Sequence, residues 1–134
     1  MTPKPLILTP FRKALASLDK ALEQVKNEFV RDATIQRFEY TYELARKMIE
    51  RHFLWVGASE VRSLARRELF REAARVGLID EPETWFDYNE ARNKTSHTYN
   101  EAAAEEIYEK ARLFARDAHR LLEELEKHHG RPAA

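Results

Sequence analysis

The chain has 134 residues, with 23 basic and 23 acidic side chains and no cysteine. Its length suits one domain with a real core, and the balanced charge excludes a strongly basic coat, so any polyanion must be held by a local patch. Missing thiols exclude disulfides and thiolate metal sites and fit a reducing compartment. The sequence contains no run of about 18 apolar residues that would cross a membrane, and Pro3-Lys4-Pro5-Leu6-Ile7-Leu8 is too short an apolar stretch for a secretory signal. The expected location is therefore cytoplasmic, with no membrane partner. Scarce glycine and abundant Ala, Leu, Glu and Arg favour an all-α fold.

Thr9 followed by Pro10 reads as a helix start, a capping hydroxyl and then a first-turn proline. Phe11, Leu15, Leu18, Leu22, Val25 and Phe29 follow at alternating spacings of four and three, which predicts one helix to about Val30. Asp32 or Thr34 can cap the next helix, whose stripe is Ile35, Phe38, Tyr42, Ala45, Ile49 and Phe53 and whose end lies near Gly57. Two long helices with a short connection predict an antiparallel hairpin.

Ser59 can cap a third helix, with Val61, Leu64, Ala65, Leu69, Ala73 and Val76 inward and Gly77 at its end. Asp80 with Glu83 resembles a capping box for a fourth helix carrying Trp85, Phe86 and Tyr88. Asn100 can cap a last long helix with Ile107, Ala111, Phe114, Ala118, Leu121 and Leu125 inward, closed by Gly130 and Pro132. Internal repeats and low-complexity linkers are absent. Residues 1–134 read as a single helical domain, with an ordered core over about residues 10–125 and a tail, His128 to Ala134, expected to fray.

Arg92-Asn93-Lys94-Thr95-Ser96-His97-Thr98-Tyr99 stands apart from this pattern. Arginine is a fixed cation that grips phosphate oxygens bidentately, and histidine moves protons near neutral pH. On a helix Asn93 and His97 share a face. Arg92 and His97, five apart, would point roughly 140° away from each other on an unbroken helix. Either the arginine reaches around or the helix ends between them, and Thr95-Ser96-His97-Thr98 supports a break. Spacing alone leaves a bland alternative, in which Arg92 pairs with Glu90 or another acid and His97 merely satisfies the junction.

Other features have plain readings. Arg62, Arg66, Arg67, Arg71 and Arg75 alternate with Glu60, Glu68 and Glu72, which favours a solvated face laced with Glu–Arg pairs over a strip that tracks RNA. The acids between Asp80 and Glu90 complement a helix start. Trp55, Trp85, Phe86 and Tyr88 suit packing better than base stacking. The Glu126–His129 pair has a di-iron spacing but no matching second set, and His52 and His119 look isolated. The residues imply no metal and no cofactor.

Three segments carry a family resemblance: residues 38–47 (FEYTYELARK), 71–79 (REAARVGLI) and 91–101 (ARNKTSHTYNE). Together they resemble the nucleotidyltransferase substrate-binding proteins of the HEPN superfamily, the HepT-like group, over roughly residues 10–125. The last segment is the most specific, matching an Arg-x4-His-x-Tyr signature. Arg46 departs from the tryptophan of many relatives and lies outside that signature. The resemblance implies an up-and-down bundle of four or five helices that homodimerises, with Arg92 and His97 of both copies lining one cleft. It implies a toxin–antitoxin pair with a minimal nucleotidyltransferase, metal-independent ribonuclease activity, and adenylylation of Tyr99 by that partner. Arg92 and His97 would be catalytic, and Asn93 would support them or bind phosphate. The alternative is a non-catalytic subunit that binds a nucleotide or substrate for the nucleotidyltransferase.

Overall fold

The computed structural model describes residues 3–132, in which α-helices and short 3₁₀ turns are the only regular elements. The helices are α1 (Thr9–Leu22), α2 (Glu28–Trp55), α3 (Arg66–Arg75), α4 (Pro82–Asn93) and α5 (Glu101–His129), with 3₁₀ turns at Ser59–Ser63 and Thr95–His97. The all-helical, up-and-down reading holds. Trp55 at the end of α2 donates its indole N–H to the Pro3 carbonyl, so α1 and α2 are antiparallel. Glu101 and Glu105 at the start of α5 meet Arg31 at the start of α2, and the two helices run parallel. α4 descends between them: Asn89 meets Tyr42 and Arg92 meets Glu39, while Tyr88 meets Asp117.

The apolar stripes of α2 and α5 face one core with α1 and α4. Phe114 is its centre, fully buried, with ring centroids of Phe38, Trp85, Tyr88 and Tyr42 at 5.2, 5.6, 5.3 and 6.1 Å. Tilted and edge-on rings at these separations add to their area burial. Trp85, Phe86 and Tyr88 are thus packing residues, and Trp55 stacks on His52 at 5.8 Å.

Several predicted boundaries move. Helix α1 ends at Leu22 rather than near Val30, because Asn27 takes an extended backbone and its Oδ1 accepts the Val30 N–H at 2.8 Å, starting α2 there. Val25 and Phe29 keep the helical spacing but lie exposed. Neither Asp32 nor Thr34 is the cap: Asp32 pairs with Arg31, and Thr34 bonds the Val30 carbonyl within the helix. Thr9 is the first helical residue and makes no capping bond, while Pro10 does occupy the first turn. Ser59 opens a 3₁₀ turn; Leu64 and Ala65 are extended, and α3 starts only at Arg66. Asp80 does not cap α4, because it bonds Arg120 of α5 at 2.8 Å and Pro82 fills the first turn instead. Asn100 caps α5 as expected, accepting the Ala103 N–H at 3.1 Å.

Gly77, with φ +85°, closes the turn after α3 in the left-handed region that favours glycine. The tail expected to fray is helical through His129. The Leu6 N–H donates to His129 Nδ1 at 3.1 Å, and His129 Nε2 lies 2.9 Å from His52 Nδ1. Because its Nδ1 accepts, a neutral His129 carries its proton on Nε2 and donates to His52. His52 is therefore not isolated, and neither is His119, whose Nε2 is 2.6 Å from Asp19. Glu126 pairs with Arg12 at 3.1 Å. Ala133 and Ala134 lie outside the described residues.

Candidate functional site

The helix break falls where the hydroxyl-rich segment placed it. α4 ends at Asn93, and Thr95 Oγ1 donates to the Arg92 carbonyl at 2.8 Å, taking an acceptor that a continuing helix would use. His97 N–H then bonds the Lys94 carbonyl at 2.9 Å and Asn100 N–H the His97 carbonyl at 3.1 Å, tightening the chain into α5. Asn93 and His97 consequently do not share a helical face, since the helix stops at the first of them.

Arg92 projects from the last turn of α4 toward α2. Its Nε is 3.4 Å from Glu43 Oε1 and an Nη is 3.6 Å from Glu39, with 30% of the side chain exposed. It does not pair with Glu90, which faces Arg67 at 4.0 Å. Both Arg92 contacts exceed the ~2.7–2.9 Å of a tight charge-assisted bond, and the buried Nε makes no hydrogen bond. His97 is exposed, bonded through its backbone, with its ring edge-on to Tyr99 at 6.1 Å. Tyr99 is 84% exposed and Asn93 is also exposed. Among the described residues, no hydrogen bond or ion pair joins Arg92 to His97 within one chain. They share a junction, held separately by α2 acids and by Tyr99.

Sequence reading missed the rest of this face. Asn89, one turn before Arg92, accepts from the buried Tyr42 hydroxyl at 2.8 Å and from Arg66 Nη1 at 2.9 Å. Burial holds the Tyr42 phenol well above its usual pKa, so it remains a donor. Glu43 is the shared counter-charge, 3.3 Å from Arg46, 3.9 Å from Arg66 and 3.4 Å from Arg92. The three-residue step from Asn89 to Arg92 was visible in the sequence, but nothing local pointed to Arg66 or Glu43.

Arg67, Arg71 and Arg75 of α3 form the laced face expected. Arg71 pairs with Glu68 and Arg75 with Glu72, while Arg67 and Arg71 lie over the Phe86 ring at 4.7 and 5.4 Å. A groove of about 560 Å³ lies between the α3–α4 connection and α5, lined by Leu78, Asp80, Trp85, Asp117 and Arg120. None of its lining residues belongs to the Arg92–Tyr99 junction.

An all-helical bundle with an Arg-x4-His-x-Tyr junction between its last two helices defines a recognisable class. Residues 6–127 match the family described as nucleotidyltransferase substrate binding protein like, and the chain belongs to it. A Haemophilus influenzae protein named Probable ribonuclease HepT is 36% identical over 93 residues, which cover 68% of this chain and 64% of the relative. The aligned stretch thus spans just under two thirds of that protein. A solved Haemophilus influenzae structure, reported as the fold of a substrate binding domain of a nucleotidyltransferase, superposes with a TM-score of 0.84 at 28% identity, covering 90% of this chain and 99% of the other. A Thermus thermophilus crystal structure gives 0.75 at 31% identity, covering 86% and 98%.

Proposed function

We propose that this chain is a HepT-like, metal-independent endoribonuclease that works as a homodimer and is restrained by a minimal nucleotidyltransferase. The observation that carries the reading is the junction itself: a partly exposed, loosely paired guanidinium and an exposed imidazole flank one helix break. Membership of the nucleotidyltransferase-associated family and likeness to a protein named a probable ribonuclease support it.

In this reading an RNA phosphodiester displaces part of the Glu39–Glu43 hold on Arg92, whose N–H donors then meet the charge that develops on the phosphoryl oxygens. His97 takes the proton of the ribose 2′-OH as its oxygen attacks phosphorus. The bond to the 5′-oxygen breaks, a proton is delivered to that oxygen, and the products end in a 2′,3′-cyclic phosphate and a 5′-hydroxyl. A second copy of the chain supplies the second imidazole and brings Arg92 and His97 of the pair into one cleft, with Asn93 donating its amide to phosphate. DNA, lacking the 2′-OH, is not cut.

Tyr99 is the regulatory site in the same proposal. Its exposed phenolic oxygen attacks the α-phosphorus of ATP in the partner's active site, forming a tyrosyl–AMP ester and releasing pyrophosphate. The added phosphate and base then crowd the His97 ring that packs on Tyr99. Co-expression with a minimal nucleotidyltransferase is expected to add one or more AMP masses at Tyr99 and to protect cellular RNA. In Tyr99→Phe the mass gain and the protection should both disappear. Nucleotide binding with no RNA turnover in any form would replace the ribonuclease by a binding subunit.

A further inference from the structure

The polar face beside Arg92 carries a second set of hydrogen-bond donors. Arg66 is a donor only, so the Asn89 atom that faces it must be the amide oxygen. The Tyr42 hydroxyl meets the same oxygen. Both lone pairs are therefore used, and both N–H donors of Asn89 Nδ2 point away from them with no acceptor among the described residues. Asn89 is half-buried and one helical turn from Arg92, on the same side of α4.

Arg66 lies beside it with 44% of its side chain exposed. It is also the first residue of α3, which has no side-chain cap, so orphan N–H groups and the positive end of the helix gather there. Glu43 Oε1 is within 3.9 Å of Arg66 and 3.4 Å of Arg92, which ties the two guanidiniums to one point without closing either pair tightly. Arg46, whose contacts are with Glu43 and Glu50, stays on the α2 side.

We propose that Arg66 and the Asn89 amide form a phosphate-binding subsite adjoining Arg92, which holds the phosphodiester next to the one undergoing cleavage. The subsite rests on the reading of Arg92 as a phosphate ligand and extends it: the substrate is a single strand gripped at two successive phosphates. Asn89 binds through its amide N–H donors, oriented by Tyr42 from the core and by Arg66 from the surface.

The test is a binding measurement with uncleavable 2′-O-methyl dinucleotides that contain one phosphodiester, compared with the same compounds carrying an added 5′- or 3′-phosphate. The full-length wild type should bind one of the two phosphorylated forms roughly tenfold more tightly, the size of a hydrogen-bonded charge contact, and the gain should shrink as salt is raised. Asn89→Asp keeps an oxygen for Tyr42 and Arg66 but removes both donors, and it should erase the gain. Arg66→Leu, which leaves Tyr42 its acceptor, provides the same reading should the aspartate variant fold poorly. If neither added phosphate helps, or the gain survives both variants, the subsite is wrong. A protein that shows the gain yet cuts no RNA keeps the subsite and loses the ribonuclease reading; cleavage without the gain does the reverse.

Discussion

At the residue scale, His52 shows how burial writes a pH dependence into the fold. Its imidazole is 4% exposed and is joined by His129 at 2.9 Å, with His128 at a centroid distance of 4.7 Å. Burial first, and the neighbouring His128 and His129 second, depress its pKa from 6.5 to about 4. A base depressed in the folded state binds more protons when unfolded, so stability is complete above about 6.5 and falls as pH drops toward about 4. Between pH 7 and 4 the His52 contribution to the unfolding free energy should fall by about 2–3 kcal/mol. His52→Gln, which still accepts from His129 Nε2, should flatten that limb; an unchanged acid slope would remove His52 from the explanation. Phe114→Ala is expected to cost about 3–5 kcal/mol in denaturant titration, since four buried rings would face the void.

At the element scale, legibility followed periodicity. The stripes of α2 and α5 were readable because their apolar residues return at helical spacing and do face the core. The same rule overextended α1. Val25 and Phe29 keep the spacing, but only the backbone shows that Asn27 is a cap rather than a mid-helix residue. Asp80 failed as a cap for a tertiary reason, its bond to Arg120 some 40 residues away. At the junction, the hydroxyl-rich run gave the helix break, and the Glu39, Glu43 and Arg66 contacts of the site stayed hidden because they come from other helices. Asn100, the cap that was readable, anchors α5 directly after Tyr99. Asn100→Ala should cost about 1 kcal/mol, roughly 3–5 °C in Tm, whereas Asn100→Ser should recover most of it. A loss confined to Asn100→Ala would confirm the cap, and equal losses in both would point to another role.

At the scale of the whole molecule, one chain positions Arg92 and His97 at one junction without linking them, and the proposed chemistry draws on two copies. Mixed dimers of one wild-type chain and one Arg92→Ala/His97→Ala chain, made under conditions that exchange subunits, should then lose at least about 100-fold in rate, because one cleft needs both imidazoles. About half the wild-type rate in proven mixed dimers would mean that each cleft is built from one chain. The account depends most directly on a single cleavage assay, purified protein with single-stranded RNA in excess EDTA, comparing wild type with Arg92→Ala and His97→Ala. The expected result is cleavage to 2′,3′-cyclic phosphate ends by the wild type and a loss of at least about 100-fold in each variant. RNA left intact by the wild type, or cut equally well by both variants, would contradict it.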